Sequence, residues 1–137
     1  MKTRQEIVNH VFDYFIVQKH PKSYNKDSQL CQYKCFVEEK ECRCAIGCLL
    51  NPDIDVTRFE CASIFEVFIK GSLNKNQKAK YLKEACEQSG INMDPSEAYF
   101  LEGLQGCHDQ STEKDFHTSF FTAFKSFVKR HELVLPS

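Results

Sequence analysis

The sequence lacks the features of several large functional classes: a long apolar run, an excess of charge of one sign, and the common nucleotide and metalloprotease motifs. No stretch approaches the roughly 20 apolar residues of a membrane-spanning helix. Its 18 basic residues are balanced by 19 acidic ones, for a net charge of -1, so it has no global basic field that would attract nucleic acid. The patterns G-x-x-x-x-G-K-[ST], G-x-G-x-x-G and H-E-x-x-H are absent, which argues against the commonest nucleotide-dependent and zinc-protease chemistries. We therefore expect no membrane insertion and no nucleic-acid partner.

A secretory signal is also lacking near the start of the chain. The apolar residues between positions 11 and 17 are interrupted by Asp13, and no small-residue cleavage site follows them. We expect such a chain to remain in the cytoplasm, where thiols stay reduced. The eight cysteines are therefore interpreted as free thiols rather than as a disulfide framework.

What is present is the composition of one globular domain. The chain has 137 residues, of which 42% are hydrophobic and 27% charged, values close to the average for folded proteins. No internal repeat, low-complexity segment or linker divides it. We predict a single domain over residues 1–137, of the α+β class and mainly α, with about five helices and one two-stranded β-hairpin.

The helices are predicted from capping residues and from apolar side chains at helical spacing. Thr3 and Glu6 form the pattern of a capping box, and Asp94 followed by Pro95 is typical of a helix start. Apolar periodicity predicts further helices over about residues 58–70, 75–88 and from 112 onward. The helix at 58–70 is expected to bury Phe65. The last helix carries an aromatic stripe made of Phe116, Phe120, Phe124 and Phe127.

Alternating residues between positions 30 and 46 predict the cysteine-rich hairpin. The alternation places cysteines on one face and charged residues on the other. A two-residue loop at 39–40 sets Cys35 opposite Cys44, apolar against apolar, whereas a three-residue loop would set Cys35 against Arg43. We therefore predict that Cys35 and Cys44 share the buried face and that Arg43 lies on the exposed one.

A zinc site is one alternative interpretation of these cysteines. Structural zinc needs four converging ligands, and two cysteines four apart on one strand are separated by roughly 13 Å. A site would therefore draw ligands from both strands and beyond, and the candidates are Cys35, Cys44, Cys48 and His108. Packing of the cysteines as small apolar groups in the core is the interpretation we favour, with no bound metal.

Thiol catalysis is a second alternative. Cys44 or Cys48 could serve as the nucleophile, with His108 as the base that lowers the thiol pKa. Asp109 is the adjacent residue, and neighbouring side chains on a helix diverge, so we expect it to orient His108 poorly. We expect His108 instead to cap carbonyl groups at a helix end.

Three segments resemble the signature of a family of small proteins encoded by bacteriophages and other mobile elements. They are C-Q-Y-K at residues 31–34, R-C-A-I-G-C-L-L-N-P-D at 43–53 and L-Q-G-C-H-D at 104–109. Typical members of the family read C-x-Y-R, C-A-[IV]-G-x-L-I-P-D and L-Q-x-x-H-D. This chain departs from them with Lys34 in place of arginine and with Asn51 inserted before the Pro-Asp pair. The resemblance implies a phage-type accessory protein in a bacterial cytoplasm, and it brings no established activity.

We therefore predict a small non-enzymatic intracellular accessory protein that binds a host or viral protein and modulates or inhibits it. No cofactor is expected. The alternatives are the cysteine-dependent enzyme built on Cys44 or Cys48 with His108, and the zinc-stabilised binding module.

Overall fold

A computed structural model describes residues 1–69 and 76–136 of the chain. Within these residues the protein is an α+β fold, about half helical, with four α-helices and two small antiparallel sheets. The elements are α1 (Arg4–Phe12, continued by a π-helical turn, Asp13–Val17), β1 (Tyr24–Asn25), β2 (Leu30–Cys31), β3 (Lys34–Val37), β4 (Lys40–Arg43), α2 (Gln77–Gln88), α3 (Ala98–Asp109) and α4 (Phe116–Arg130). Short 3₁₀ helices occupy Gly47–Leu49, Val56–Arg58, Ile64–Phe68 and Pro95–Glu97. None of the helices described is long and apolar enough to cross a membrane.

The helix starts follow local capping chemistry. The Thr3 hydroxyl accepts from the Glu6 amide at 3.1 Å, and the Glu6 carboxylate accepts from the Thr3 amide at 3.1 Å, which confirms the capping box of α1. Asn76 caps α2 through the Ala79 amide. Pro95 begins the 3₁₀ turn that leads into α3. The sequence predicted each of these helices. The predicted start of α2, residue 75, lies outside the described residues.

The core lies between α1, α3 and α4. The aromatic stripe of α4 is buried as predicted, and the ring of Phe15 from the π-helical turn lies 4.6 Å from that of Phe120. On α3, Phe100 packs against Phe127 with a ring separation of 5.2 Å. Burial of each such aromatic side chain typically contributes about 1.5–3 kcal/mol, so this cluster contributes substantially to stability.

The prediction of a helix at 58–70 is wrong for residues 58–69, and residue 70 lies outside the described residues. One 3₁₀ turn ends at Arg58, and a second covers Ile64–Phe68. Cys61 between them has a φ of 71°, a left-handed conformation that no α-helix contains. Ser63 and Glu66 then form a new capping box, which restarts the chain in another direction. As a result Phe65 is 44% exposed rather than buried.

The hairpin forms with a different register from the one predicted. Cys35 pairs with Cys42, and the two-residue loop is Glu38–Glu39 rather than 39–40. Both loop residues have positive φ, 52° and 66°, as a type I′ turn requires. A slip of two residues leaves every side chain on its original face, so alternation does not distinguish the two registers. Cys35 and Cys42 are buried in β3 and β4, whereas Cys44 is buried beyond the end of β4.

Arg43 is buried, with 6% exposure, and the prediction that it lies on an exposed face is wrong. Its guanidinium donates to the carbonyls of Gly47 at 3.2 Å and Pro52 at 3.4 Å. A charged group can be buried when backbone acceptors satisfy its donors. The Arg43 amide also donates to the Tyr14 hydroxyl at 2.8 Å, which joins the hairpin to the helix that precedes it.

A second small sheet, which the sequence did not predict, precedes the hairpin. Tyr24 of β1 pairs with Cys31 of β2, and β1 also contacts β3. The side-chain oxygen of Asn25 accepts from the amides of Asp27 and Ser28 and so forms the turn between the strands. This sheet brings Cys31 towards the end of α3.

Candidate functional site

The C-terminal turns of α3 contact both of the other segments that carry the family resemblance. The Gln105 side-chain oxygen accepts from the Ile46 amide at 2.9 Å. The Cys44 amide donates to the Tyr33 carbonyl at 3.4 Å. A Cβ atom at Gly47 would lie 2.1 Å from that same carbonyl oxygen, so only glycine allows these backbones to approach so closely. The three sequence segments therefore form one structural unit.

His108 is fully buried, and both of its ring nitrogens are hydrogen-bonded. Nε2 lies 3.0 Å from the backbone nitrogen of Ser23, and Nδ1 lies 2.8 Å from the carboxylate of Asp109. A backbone N–H can only donate, so Nε2 is the acceptor and the ring proton is on Nδ1. Burial lowers the pKa of His108, although the Asp109 carboxylate raises it. The imidazole is therefore neutral and has no unused lone pair.

Two expectations about this pair are corrected by the geometry. Asp109, the last residue of α3, does accept a hydrogen bond from the ring of His108. His108 accepts from a backbone amide distant in sequence, rather than capping carbonyl groups at the helix end.

Asp109 is held in place by two donors. Its Oδ1 atom accepts from His108 Nδ1 at 2.8 Å and from Gln105 Nε2 at 3.0 Å. The side chain of Asp109 is 40% exposed. Neighbouring donors therefore set the direction of a carboxylate that still reaches solvent.

Cys31 is the cysteine that lies beside this pair. Its sulfur and the ligand atoms of His108 and Asp109 all lie within 4.8 Å of one another. Burial, and then the negative charge of Asp109, raise the pKa of Cys31 to about 11, while Lys22 lowers it. The thiol is therefore protonated near neutral pH. The sequence pointed to other cysteines, because the pairing of β1 with β2 that brings Cys31 here has no local signal.

Cys44 and Cys48, the cysteines proposed as nucleophiles, are buried and bonded to their own turn. The Cys44 sulfur accepts from the Gly47 amide at 3.2 Å, and the Cys48 thiol donates to the Ala45 carbonyl at 3.2 Å. Burial raises the pKa of both thiols. Neither is hydrogen-bonded to His108, whose ring nitrogens are bonded to the Ser23 amide and the Asp109 carboxylate.

The four proposed zinc ligands are not gathered in one place by the described residues. The one group of three or more His, Cys or acidic ligand atoms found in residues 1–69 and 76–136 is Cys31, His108 and Asp109. A metal at this group would need the lone pair of His108 Nδ1, which carries the proton because Ser23 donates to Nε2. The donor set therefore does not fit zinc in this arrangement.

A cavity of about 330 Å³ opens above Cys31 and Asp109, and we call it the acidic pocket. It contains two carboxylates, Asp109 and Glu102, and burial, together with the charge of Asp109, raises the pKa of Glu102. The described residues that line it include no lysine, arginine or histidine. They are Leu30, Cys31, Gln32, Tyr33, Cys61, Ala62, Ser63, Ile64, Glu102, Gln105, Gly106, Asp109 and Gln110.

Sequence reasoning missed Glu102 and Gln105, although a signal for them existed. Residues 102, 105, 106 and 109 recur at intervals of three and four, and they therefore share one face of α3. A polar face opposite the apolar stripe of a helix is usually only solvated. In the structure, β2 and residues 61–64 enclose this polar face of α3. It therefore lines a pocket, whereas an ordinary polar face is open to solvent.

Comparisons of the chain with protein-family models, with curated proteins and with solved structures found no match.

Proposed function

We propose that this protein is a small non-enzymatic binding protein whose acidic pocket takes a basic side chain, Lys or Arg, of a protein partner. The observation that carries the proposal is the composition of the pocket, with the carboxylates of Asp109 and Glu102 and no basic residue among its described lining. Its volume, about 330 Å³, is at the lower end of the roughly 300–1,000 Å³ typical of small-ligand pockets. This size suits one side chain.

The carboxylate of Asp109 is arranged in advance for such a cation. Two donors, His108 and Gln105, hold Oδ1, and the side chain of Asp109 is 40% exposed, so an ammonium or guanidinium group can approach it from solvent. A preorganised acceptor gains affinity because little side-chain freedom is lost on binding. Charge-assisted hydrogen bonds of this type are the stronger class.

Apolar groups beside the pocket favour a protein partner over a free amine. Leu30 lines the pocket and is 50% exposed. Phe65, which follows the lining residue Ile64 in sequence, is also exposed. Apolar contacts that surround a charged pair and exclude water are typical of the centre of a protein interface. By the family resemblance the partner would be a host or viral protein in a bacterial cytoplasm.

The enzyme alternative has less support from the geometry. A cysteine nucleophile needs a lowered pKa and a base with a free lone pair. Cys31 has a raised pKa, and His108 already accepts from Ser23 through its only lone pair.

The proposal is tested with a blocked pentapeptide, Gly-Leu-Arg-Leu-Gly, added to the ¹⁵N-labelled protein. We expect amide shifts concentrated at residues 30–33 and 102–110. The same peptide with citrulline, a neutral isostere of arginine, should bind more weakly. Asp109→Asn keeps an oxygen acceptor for His108 and removes the negative charge. It should weaken binding of the arginine peptide roughly tenfold, the equivalent of one lost charge-assisted hydrogen bond.

Glu87→Gln is the matched control, since Glu87 is an exposed carboxylate of α2 that does not line the pocket. This variant should bind like the parent protein. Equal binding of the arginine and citrulline peptides, or shifts centred elsewhere in the chain, would contradict the proposal.

A further inference from the structure

A pair of cysteines outside the acidic pocket faces each other across the hairpin. Cys35 of β3 and Cys42 of β4 are directly opposite in the ladder, and their sulfur atoms lie 3.5 Å apart. All eight cysteines of the chain are free thiols. The pair is therefore a dithiol within van der Waals contact.

The strands already hold this pair at the spacing that a disulfide needs. Directly opposite residues of an antiparallel pair have Cα atoms about 4.5–5.5 Å apart, inside the range of roughly 4.4–6.8 Å found for disulfides. A bond requires the sulfur atoms to close from 3.5 Å to about 2.05 Å. Small side-chain rotations supply that approach without separating β3 from β4.

The two sulfurs differ in their access to solvent and in their hydrogen bonds. Cys35 lines a second cavity, beside the hairpin loop, whereas Cys42 has no exposed surface. The Ser23 hydroxyl donates to the Cys35 sulfur at 3.3 Å. Burial, and then the neighbouring Cys35, raise the pKa of Cys42 to about 12. Cys35 is therefore the sulfur that an oxidant in the cavity meets first.

We propose that Cys35 and Cys42 are a site of reversible oxidation by peroxides, with Cys35 as the attacking thiol and Cys42 as the resolving one. The Cys35 thiolate attacks one oxygen of hydrogen peroxide, the O–O bond breaks, and a sulfenic acid and hydroxide form. Cys42 then loses its proton and its sulfur attacks the Cys35 sulfur, the S–O bond breaks, and a second hydroxide leaves. With the two thiol protons, the products are one disulfide and two waters. A dithiol reductant reverses the reaction.

The disulfide would cross-link a part of the hairpin that backbone hydrogen bonds otherwise hold together. It closes the segment from residue 35 to residue 42, including the loop residues Glu38 and Glu39, which have positive φ. Fewer open conformations then remain for the hairpin. We expect the amides of residues 36–41 to exchange with solvent more slowly in the oxidised protein. The site is independent of the proposed binding function, because neither cysteine lines the acidic pocket.

The test begins with the reduced full chain, treated with one equivalent of hydrogen peroxide. Trypsin cleaves after Lys34, Lys40 and Arg43, so the proposal predicts peptides 35–40 and 41–43 joined with a loss of two hydrogens. Dithiothreitol should release them. In Cys42→Ser a sulfenic acid should accumulate on Cys35 and be trapped by dimedone, whereas Cys35→Ser should yield far less dimedone adduct on Cys42.

Cys61→Ser is the matched control, because Cys61 is the exposed cysteine of the chain and is not part of the pair. This variant should form the 35–42 link as fast as the parent. A parent protein in which Cys61 is oxidised while the 35–40 and 41–43 peptides remain unlinked would overturn the proposal. That measurement needs no variant, so it holds whether or not the serine variants fold.

Discussion

The backbone amide of Ser23 donates to Nε2 of His108 at 3.0 Å, although the two residues lie 85 positions apart in the sequence. This bond joins the segment before β1 to the last turn of α3. It also places the ring proton on Nδ1, which donates to Asp109. The orientation of a pocket carboxylate therefore depends on a buried histidine that does not itself line the pocket.

Replacement of His108 by phenylalanine should destabilise the protein. The Ser23 amide would lose its acceptor inside the core, and an unsatisfied buried donor typically lowers the free energy of unfolding by about 1–3 kcal/mol. His108→Gln retains an acceptor, and we expect a loss of about 1 kcal/mol. Urea denaturation followed by circular dichroism measures both. The control is His10→Phe, at an exposed position where one bond to the Cys48 carbonyl is lost at the surface. Equal stability of His108→Phe and the parent would show that the amide has another partner.

Acid should weaken the fold through His108. Burial lowers the pKa of His108 below its ordinary value of 6.5, so below that pH the unfolded chain binds a proton that the folded chain does not. The stability from His108 is therefore fully present above about pH 6.5 and is lost as the pH falls towards the lowered folded pKa. Denaturant titrations from pH 8 to pH 5 should show a smaller decline in His108→Gln than in the parent.

The difference between those two curves isolates the histidine. Burial raises the pKa of Glu60 and of Glu102, so these carboxylates act in the opposite direction, with stability lost as the pH rises above their ordinary value of 4.5. Their contribution is the same in both proteins and cancels. Parallel curves would mean that His108 titrates alike in the folded and unfolded states.

Asp109→Asn should speed the alkylation of Cys31. The negative charge of Asp109 is one cause of the raised pKa of this thiol, and its removal increases the thiolate fraction, by about tenfold for each unit of pKa. If Asp109 were a catalytic base for Cys31, the same change would slow alkylation. Iodoacetamide labelling at pH 8, read cysteine by cysteine in mass spectra, separates the two. The charges that act on the Cys31 thiol are those of Asp109 and Lys22. Glu102→Gln, which removes a different charge from the same pocket, is therefore the control.

Gly47→Ala should be strongly destabilising. The added Cβ would lie 2.1 Å from the Tyr33 carbonyl oxygen, and relief of the clash requires the backbone of one segment to move. We expect a loss of roughly 2–4 kcal/mol in the free energy of unfolding. Gly106→Ala is the contrasting change, because its Cβ meets nothing closer than 3.8 Å. Alanine within α3 should stabilise the protein by about 0.5–1 kcal/mol. Thermal melts of both variants check the pair.

The sequence by itself determined the elements that depend on neighbouring residues. The capping box of Thr3 and Glu6 begins α1, and the phenylalanine stripe of α4 is buried. Caps act within one turn and apolar periodicity within one helix, so both can be recognised without knowledge of the rest of the chain. The alternation of the hairpin correctly indicated that Cys35 and Cys42 share a buried face.

The tertiary structure decided what lies beyond that range. A shift of two residues in the hairpin leaves its alternation unchanged, and only the turn at Glu38–Glu39 selects the register. Arg43 is buried because the carbonyls of Gly47 and Pro52 meet its donors once the chain has folded back. The pocket has the same origin: Cys31 reaches Asp109 only after β1 pairs with β2. No local pattern encodes such contacts, because their free energy comes from groups far apart in the sequence that meet only in the folded core.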